Sequence, residues 1–255
     1  MEMNAVFALI LGVVGLWIGI LLNVAAVRAL KRESLADSPF LCIHCKMRFQ
    51  PINRIPVFGY LAQKGRCRFC GKRISAAYPA GEAATAAVFA FIGYHYGPQQ
   101  LEWIAAVLLA SVLMIVTHTD VKAMLIPDRI VFPGAALAAL LRLWQHPLPY
   151  WDYMLGAALG FLILLVLAML SRGGMGGGDI KLYLFIGLLL GWKLTLLSLF
   201  AASVLGIIGG LLSLFLRRSA SKQPIPFGPY IAVSAFSAFV YGDYYLAWYF
   251  RFVPL

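Results

Sequence analysis

Residues 154–190 read MLGAALGFLILLVLAMLSRGGMGGGDIKLYLFIGLLL, and this stretch decides the class of fold. One apolar run ends at Ser171-Arg172, and a second begins directly behind Asp179. Between them lies Gly173-Gly174-Met175-Gly176-Gly177-Gly178. Apolar runs of about 20 residues are long enough to cross a bilayer core as helices. A carboxylate at the boundary of such a run is costly, and it therefore points to function. The glycines have no Cβ, so this backbone can take positive φ and let another chain approach closely. Asp179 sits where a helix would start, and the first N–H groups of a helix stabilise an anion there.

The pattern recurs along the chain. Of 255 residues, 62% are hydrophobic and 12% charged, about half the charged share of a soluble domain. Eight apolar segments are predicted, at roughly 5–28, 80–97, 100–119, 129–146, 151–171, 180–192, 194–216 and 229–250. Pro133 and Pro147 lie in or beside the fourth, and the sixth is short. The first segment has neither the basic start nor the small-residue cleavage site of a signal peptide, so it reads as a retained helix. The fold class expected is an all-α polytopic membrane protein of about eight transmembrane helices.

The net charge of +11 raises the question of nucleic acid, but the placement of the charges answers it. Eleven of the 21 Lys and Arg fall between Arg28 and Arg73, against only Glu33 and Asp37. Positively charged loops stay on the cytoplasmic side. With that loop inside, eight spans put both termini outside. Lys122, Arg129, Arg172, Lys181, Arg217, Arg218 and Lys222 then also fall inside, and only Arg142, Lys193 and Arg251 fall outside. The charge is thus that of a membrane protein's inner face, and no nucleic-acid partner is expected. The same threading puts Asp120, at the end of the third segment, and Asp179, at the start of the sixth, near the cytoplasmic boundary.

All four cysteines lie in the large basic loop, as Cys42-Ile-His-Cys45 and Cys67-Arg-Phe-Cys70 with 21 residues between the pairs. Two C-x-x-C pairs at this separation form the pattern of a structural four-thiolate zinc site. Disulfides are disfavoured in a reducing cytoplasm. Lys46, Arg66, Arg68 and Lys72 would offset the negative charge of the thiolates. A loop of about 50 residues cannot bury a self-sufficient core, so one zinc ion per chain is expected as a purely structural staple, the alternatives being free thiols or a redox dithiol pair. His44 reads as a bystander inside the first pair. The expected organisation is a first transmembrane helix at 1–28, a cytoplasmic zinc-binding loop domain at 29–79 and a seven-helix membrane domain at 80–255.

The first carboxylate motif reads Thr119-Asp120-Val-Lys-Ala-Met-Leu-Ile-Pro127-Asp128. Pro127 disfavours helix at Ile126, so Asp120 is expected to open a short connection between two helices. Two carboxylates brought together share one proton. The ionised one can then activate water while the protonated one polarises a carbonyl, which is the logic of aspartic proteolysis. The bland alternative is a helix cap at Asp179 and an interfacial charge at Asp120. Asp128 is the rival for Asp120's role.

These residues resemble a known family, the bacterial type IV prepilin peptidases of the GxGD aspartic class. Gly176-Gly177-Gly178-Asp179-Ile180-Lys181-Leu182 is similar to that family's GxGD-x-K-L motif, and Asp120 through Pro127-Asp128 to its first aspartate motif. The paired cysteines, with Ile55-Pro56-Val57 between them and Tyr78-Pro79 and Glu82 after them, resemble the bifunctional members. Gly19, Asn23, Val24 and Arg28 resemble the end of the family's first helix, and Pro226-Phe227-Gly228-Pro229 its last cytoplasmic loop.

The resemblance implies a membrane endopeptidase of the bacterial cytoplasmic membrane. It would cleave the basic leader of prepilins or pseudopilins after glycine at the cytoplasmic face. It would then methylate the new N-terminus with S-adenosylmethionine. Asp120 and Asp179 would be catalytic, with Gly176, Gly178, Lys181, Pro127 and Asp128 as loop support and Cys42, Cys45, Cys67 and Cys70 as metal ligands. No residues are assigned to S-adenosylmethionine. Departures from the family lie in Val24-Ala-Ala-Val-Arg28-Ala-Leu-Lys31, where members often have Arg-Leu-Pro, and in Ala80-Gly81, where two aliphatic residues are usual.

Glu82 either caps its helix or meets the leader's positive charge. The readings from other classes are a proton-coupled transporter with Asp120 and Asp179 as relay groups and an inactive zinc-organised scaffold. Gly206, Gly209 and Gly210 leave open whether the seventh segment packs within the bundle or against a second copy.

Overall fold

The computed structural model describes residues 2–34, 45, 47, 55–171, 176–216 and 226–252. Cys42, His44, the glycines at 173 and 174, and the basic residues at 172, 217, 218 and 222 lie outside the described residues. Helices α1 (Glu2–Lys31), α2 (Phe58–Ala62), α3 (Ala77–Tyr96), α4 (Glu102–Ala123), α5 (Asp128–Trp144), α6 (Tyr150–Leu170), α7 (Gly177–Leu216) and α8 (Gly228–Phe252) follow in order. The short α2, in the basic loop, is an addition to the predicted segments. Four helices, Glu2–Lys31, Glu102–Ala123, Tyr150–Leu170 and the Gly177–Ser213 part of α7, are long and apolar enough to cross a membrane.

The chain divides into two compact units, Met1–Ile115 and Val116–Leu255. In the first, α1 packs along α3 through small residues. A Cβ at Gly15 would come within 2.9 Å of the Ala86 backbone, and one at Gly19 within 2.8 Å of the Glu82 backbone. Asn23 donates to the Tyr78 carbonyl at 2.9 Å at one end of this contact, and Asn4 donates to that of Tyr94 at 3.2 Å at the other. Without glycines at the crossing, the backbones could not approach closely enough for these bonds, which resembles how small residues serve helix pairs in lipid.

In the second unit α7 is the spine, packed on α5, α6 and α8. Its 40 residues would make a straight helix of about 60 Å, twice the bilayer core. The helix breaks at Gly191 (φ 75, ψ 171), near the end of the sixth predicted segment.

A break in a helix frees backbone groups that must find other partners. Side chains take them up instead. Buried Arg142 donates to the Leu189 carbonyl at 2.7 and 3.2 Å, Asp152 accepts the Trp192 N–H at 3.1 Å, and Thr195 donates to the Gly191 carbonyl at 2.6 Å. Opposite the break, α6 meets α7 glycine to glycine, since a Cβ on Gly187 would collide with the Gly156 backbone. Gly206 and Gly209 are used within the bundle: they face the rings of Phe227 and Tyr230 at the start of α8.

Candidate active site

Asp120 lies one turn before the end of α4, not at the start of the connection. The helix runs on to Ala123, and Met124 closes it with an N–H bond to the Asp120 carbonyl at 2.8 Å and a φ of 51. The chain then extends through Leu125 and Ile126 to Pro127, whose ψ of 127 places it at the head of α5. A proline fits there because its missing N–H has no intrahelical partner to lose.

Asp179 sits inside the first turn of α7, three residues past the cap position, and its N–H reaches the Gly176 carbonyl at 3.2 Å. The Gly176 N–H in turn faces the Asp179 carboxylate. Gly178 meets Ile126: a Cβ there would lie 2.7 Å from the Ile126 Cβ. The glycine motif therefore seats the start of α7 directly on the segment that follows Asp120.

The two carboxylates are both buried, Asp120 at 7% and Asp179 at 8% exposure, and Asp179 lies within reach of the charge on Asp120. The N-terminus of α8 completes the arrangement. The Gly228 N–H donates to Asp120 Oδ2 at 2.6 Å, and the Phe227 N–H also reaches this carboxylate. The start of a helix favours negative charge through its unsatisfied amides. A Cβ on Gly228 would stand 2.8 Å from Asp120 Oδ2, so only glycine lets the amide come this close.

Phe227 and Gly228 are the site residues that sequence reasoning misses as such. Their loop carries part of the resemblance, but nothing in its spacing says that it reaches back 108 positions.

Asp128 is not a member of this pair. It holds Lys181, whose Nζ lies 2.7 and 2.8 Å from its two oxygens and 5.6 Å from the centre of the Phe132 ring. The ion pair ties α7, two residues past Asp179, to the first turn of α5. Both partners are partly solvated, at 38% and 52% exposure, so the pair contributes up to about 1 kcal/mol. Lys181→Met is expected to lower peptide cleavage roughly threefold to fivefold, in line with that energy. The exchange Lys181→Asp with Asp128→Lys should recover part of the loss, and initial rates of the single and paired variants check it.

In the loop of the first unit, Cys45, Cys67 and Cys70 converge, with all three Sγ atoms within 4.8 Å of one another. The Cys45–Cys67 sulfur separation of 3.9 Å is far beyond a disulfide. It matches the roughly 3.8 Å edge of a tetrahedron with metal–sulfur bonds of about 2.3 Å. The second pair lies in a tight turn. Gly71, at a φ of 69, turns its N–H to the Cys67 carbonyl at 2.9 Å, and the Cys67 N–H binds the Lys72 carbonyl at 3.0 Å. Three thiols so placed can hold a metal ion; the fourth predicted ligand, Cys42, is outside the described residues.

Glu82 does not cap α3, which begins without a side-chain cap. Its carboxylate reaches into the loop instead and accepts the Val57 N–H at 2.7 Å. Val57 holds a φ of 59, a conformation costly for a β-branched residue. Glu82 thus anchors a strained point of the loop to the helix that follows it.

A family profile described as the type IV leader peptidase family matches residues 107–211, and one described as the bacterial peptidase A24 N-terminal domain matches residues 13–96. A prepilin leader peptidase/N-methyltransferase of Bacillus subtilis is 40% identical over 95% of this chain and 97% of its own length. Proteins with the same description from Aeromonas salmonicida and Pseudomonas putida are 35% and 33% identical, over 86% and 79% of this chain and 77% and 72% of their own. No solved structure matches the chain. Nothing among these relatives supports the transporter reading.

Proposed function

The chain belongs to the type IV leader peptidase family, and from that premise we propose that it removes the leader of a prepilin or pseudopilin and methylates the new N-terminus. The reading rests on one observation above all: buried Asp120 takes the first amide of α8, and its charge acts on the equally buried Asp179.

Asp120, facing the Gly228 and Phe227 N–H groups, is the ionised partner and takes a proton from the attacking water. Asp179 carries the shared proton and gives it toward the scissile carbonyl oxygen. The tetrahedral intermediate then collapses as a proton passes to the leaving nitrogen, releasing a carboxylate on the leader and an amine on the mature chain. Pro127, Gly176 and Gly178 shape the two approaches, and the Lys181–Asp128 pair keeps them in register.

S-adenosylmethionine, when bound, supplies the methyl group for the new amine. The expected site of the chemistry is the cytoplasmic face of the bacterial inner membrane, with the loop at 29–79 inside and the membrane domain at 80–255. The bilayer would then hold substrate and carboxylates at one depth, which supplies part of the orientation the reaction needs.

Incubating the purified full chain in lipid nanodiscs with a prepilin-like substrate and S-adenosylmethionine, followed by mass spectrometry, tests the reading. The expected products are a free leader ending in glycine and a mature chain 14 mass units heavier than the cleaved amine, as one methyl for one hydrogen requires. An intact substrate would overturn the proposal.

We also propose that Cys42, Cys45, Cys67 and Cys70 hold one structural zinc ion per chain. Elemental analysis should give one equivalent, and Cys67→Ser should release it and loosen the loop to proteolysis. Folded, protease-resistant chain without metal would contradict the assignment.

A further inference from the structure

Beside the carboxylates, unit Val116–Leu255 carries a groove of about 370 Å³ that the chemistry above does not use. Its walls are Leu164 and Leu167 of α6, Leu199, Ser203, Gly206 and Ile207 of α7, and Phe227 and Tyr230 at the start of α8. Leu164 and Leu199 form a buried floor, while Leu167 and Ile207 stand open at the rim. Gly206 keeps the groove wide, because any Cβ there would press on the Phe227 ring at 2.9 Å. The groove joins the active site through one residue. The Phe227 ring is part of its wall, and the Phe227 N–H, next to that of Gly228, reaches the Asp120 carboxylate.

We infer that this groove is the subsite for the apolar, membrane-embedded segment that follows the scissile bond of the substrate. The inference rests on the peptidase reading above and extends it. A chain whose amide lies over Asp120 must continue somewhere within a few ångströms, and Phe227 leads directly into the groove. The walls are aliphatic and aromatic, so an apolar segment fits them and the cationic leader does not. The volume takes roughly two large apolar side chains, or one face of a helical turn, so it reads the first residues after the cut and not a whole helix. Ser203 donates its hydroxyl to the Leu199 carbonyl at 2.9 Å, so it turns to its own helix.

The test compares two substrates on the full chain in nanodiscs. One is a prepilin-like chain with its apolar segment; the other is a short peptide ending two residues after the cut. Ile207→Trp and Leu167→Trp fill the rim from opposite walls. Each should lower the ratio of kcat/KM for the long substrate to that for the short one by roughly tenfold, the scale of a blocked apolar subsite. The loss should fall in KM. Val233→Trp, at an exposed position on α8 outside the groove, should leave the ratio unchanged.

A photoreactive residue at position 207 should crosslink to the long substrate. Crosslinks to lipid alone, or to a second copy of the chain, with an unchanged ratio, would overturn the inference. Failure of the unaltered chain to cut either substrate would sink the peptidase reading instead, so the two failures are distinct.

Discussion

Asp120→Asn or Asp179→Asn should lower leader cleavage by on the order of 10³-fold or more, while the chain still inserts and keeps its helical content. An amide is close in size to a carboxylate, so the substitution removes the ability to exchange a proton and little else. Both side chains are buried against the bundle. In the Asp120→Asn variant the side-chain carbonyl could still accept the Gly228 N–H, so the site should stay assembled. Mass spectrometry of product against time reads the loss, and circular dichroism reads the fold. If the two act as one unit, the double replacement is no worse than either single one, because residues that share a step are not additive. Additive losses would mean that the two aspartates act independently and not as a pair, and full activity in either single variant would remove that residue from the chemistry.

The second large effect is expected at a residue with no side chain. Gly228→Ala places a Cβ 2.8 Å from Asp120 Oδ2 and 2.9 Å from its Cβ. The carboxylate must then swing away, and the 2.6 Å bond from the Gly228 N–H is lost. A displacement of about 1 Å in a catalytic group costs on the order of 100-fold in rate. The matched control is Gly177→Ala, where the new Cβ would meet nothing within 4 Å in the first turn of α7. Alanine is the better helix former there, so cleavage should hold and thermal stability should not fall. Equal cleavage by both variants would show that the α8 amides play no part in setting Asp120.

Much of this arrangement is legible in the chain, and for physical reasons. Long apolar runs produce helices such as α1, α4 and α6 because nothing else satisfies their backbone in lipid. Isolated carboxylates at their ends mark Asp120 and Asp179. The cysteine pairs carry their own metal geometry, and three of the four sulfurs are close together.

Other features depend on contacts that composition does not encode. Arg142 reads from sequence as an outer-face charge, yet it is buried at the Gly191 break, and no motif singles out Asp152. Ionisable groups inside a membrane bundle need a partner, and here the partners are backbone groups of a broken helix on another element. Asp128 can be named as support, but its tie to Lys181 spans 53 positions. The role of Glu82 depends on a strained residue, Val57, 25 positions earlier. The amides of Phe227 and Gly228 escape notice because backbone groups leave no signature in side-chain chemistry.

The most direct test is an experimental density map of the full chain bound to a substrate analogue whose scissile amide is replaced by a secondary alcohol, which mimics the tetrahedral intermediate. The predicted result places that hydroxyl within hydrogen-bonding distance of both Asp120 and Asp179, with Gly228 still on Asp120. A hydroxyl bound to one aspartate with the other turned away, or an analogue seated elsewhere, would contradict the shared-carboxylate mechanism.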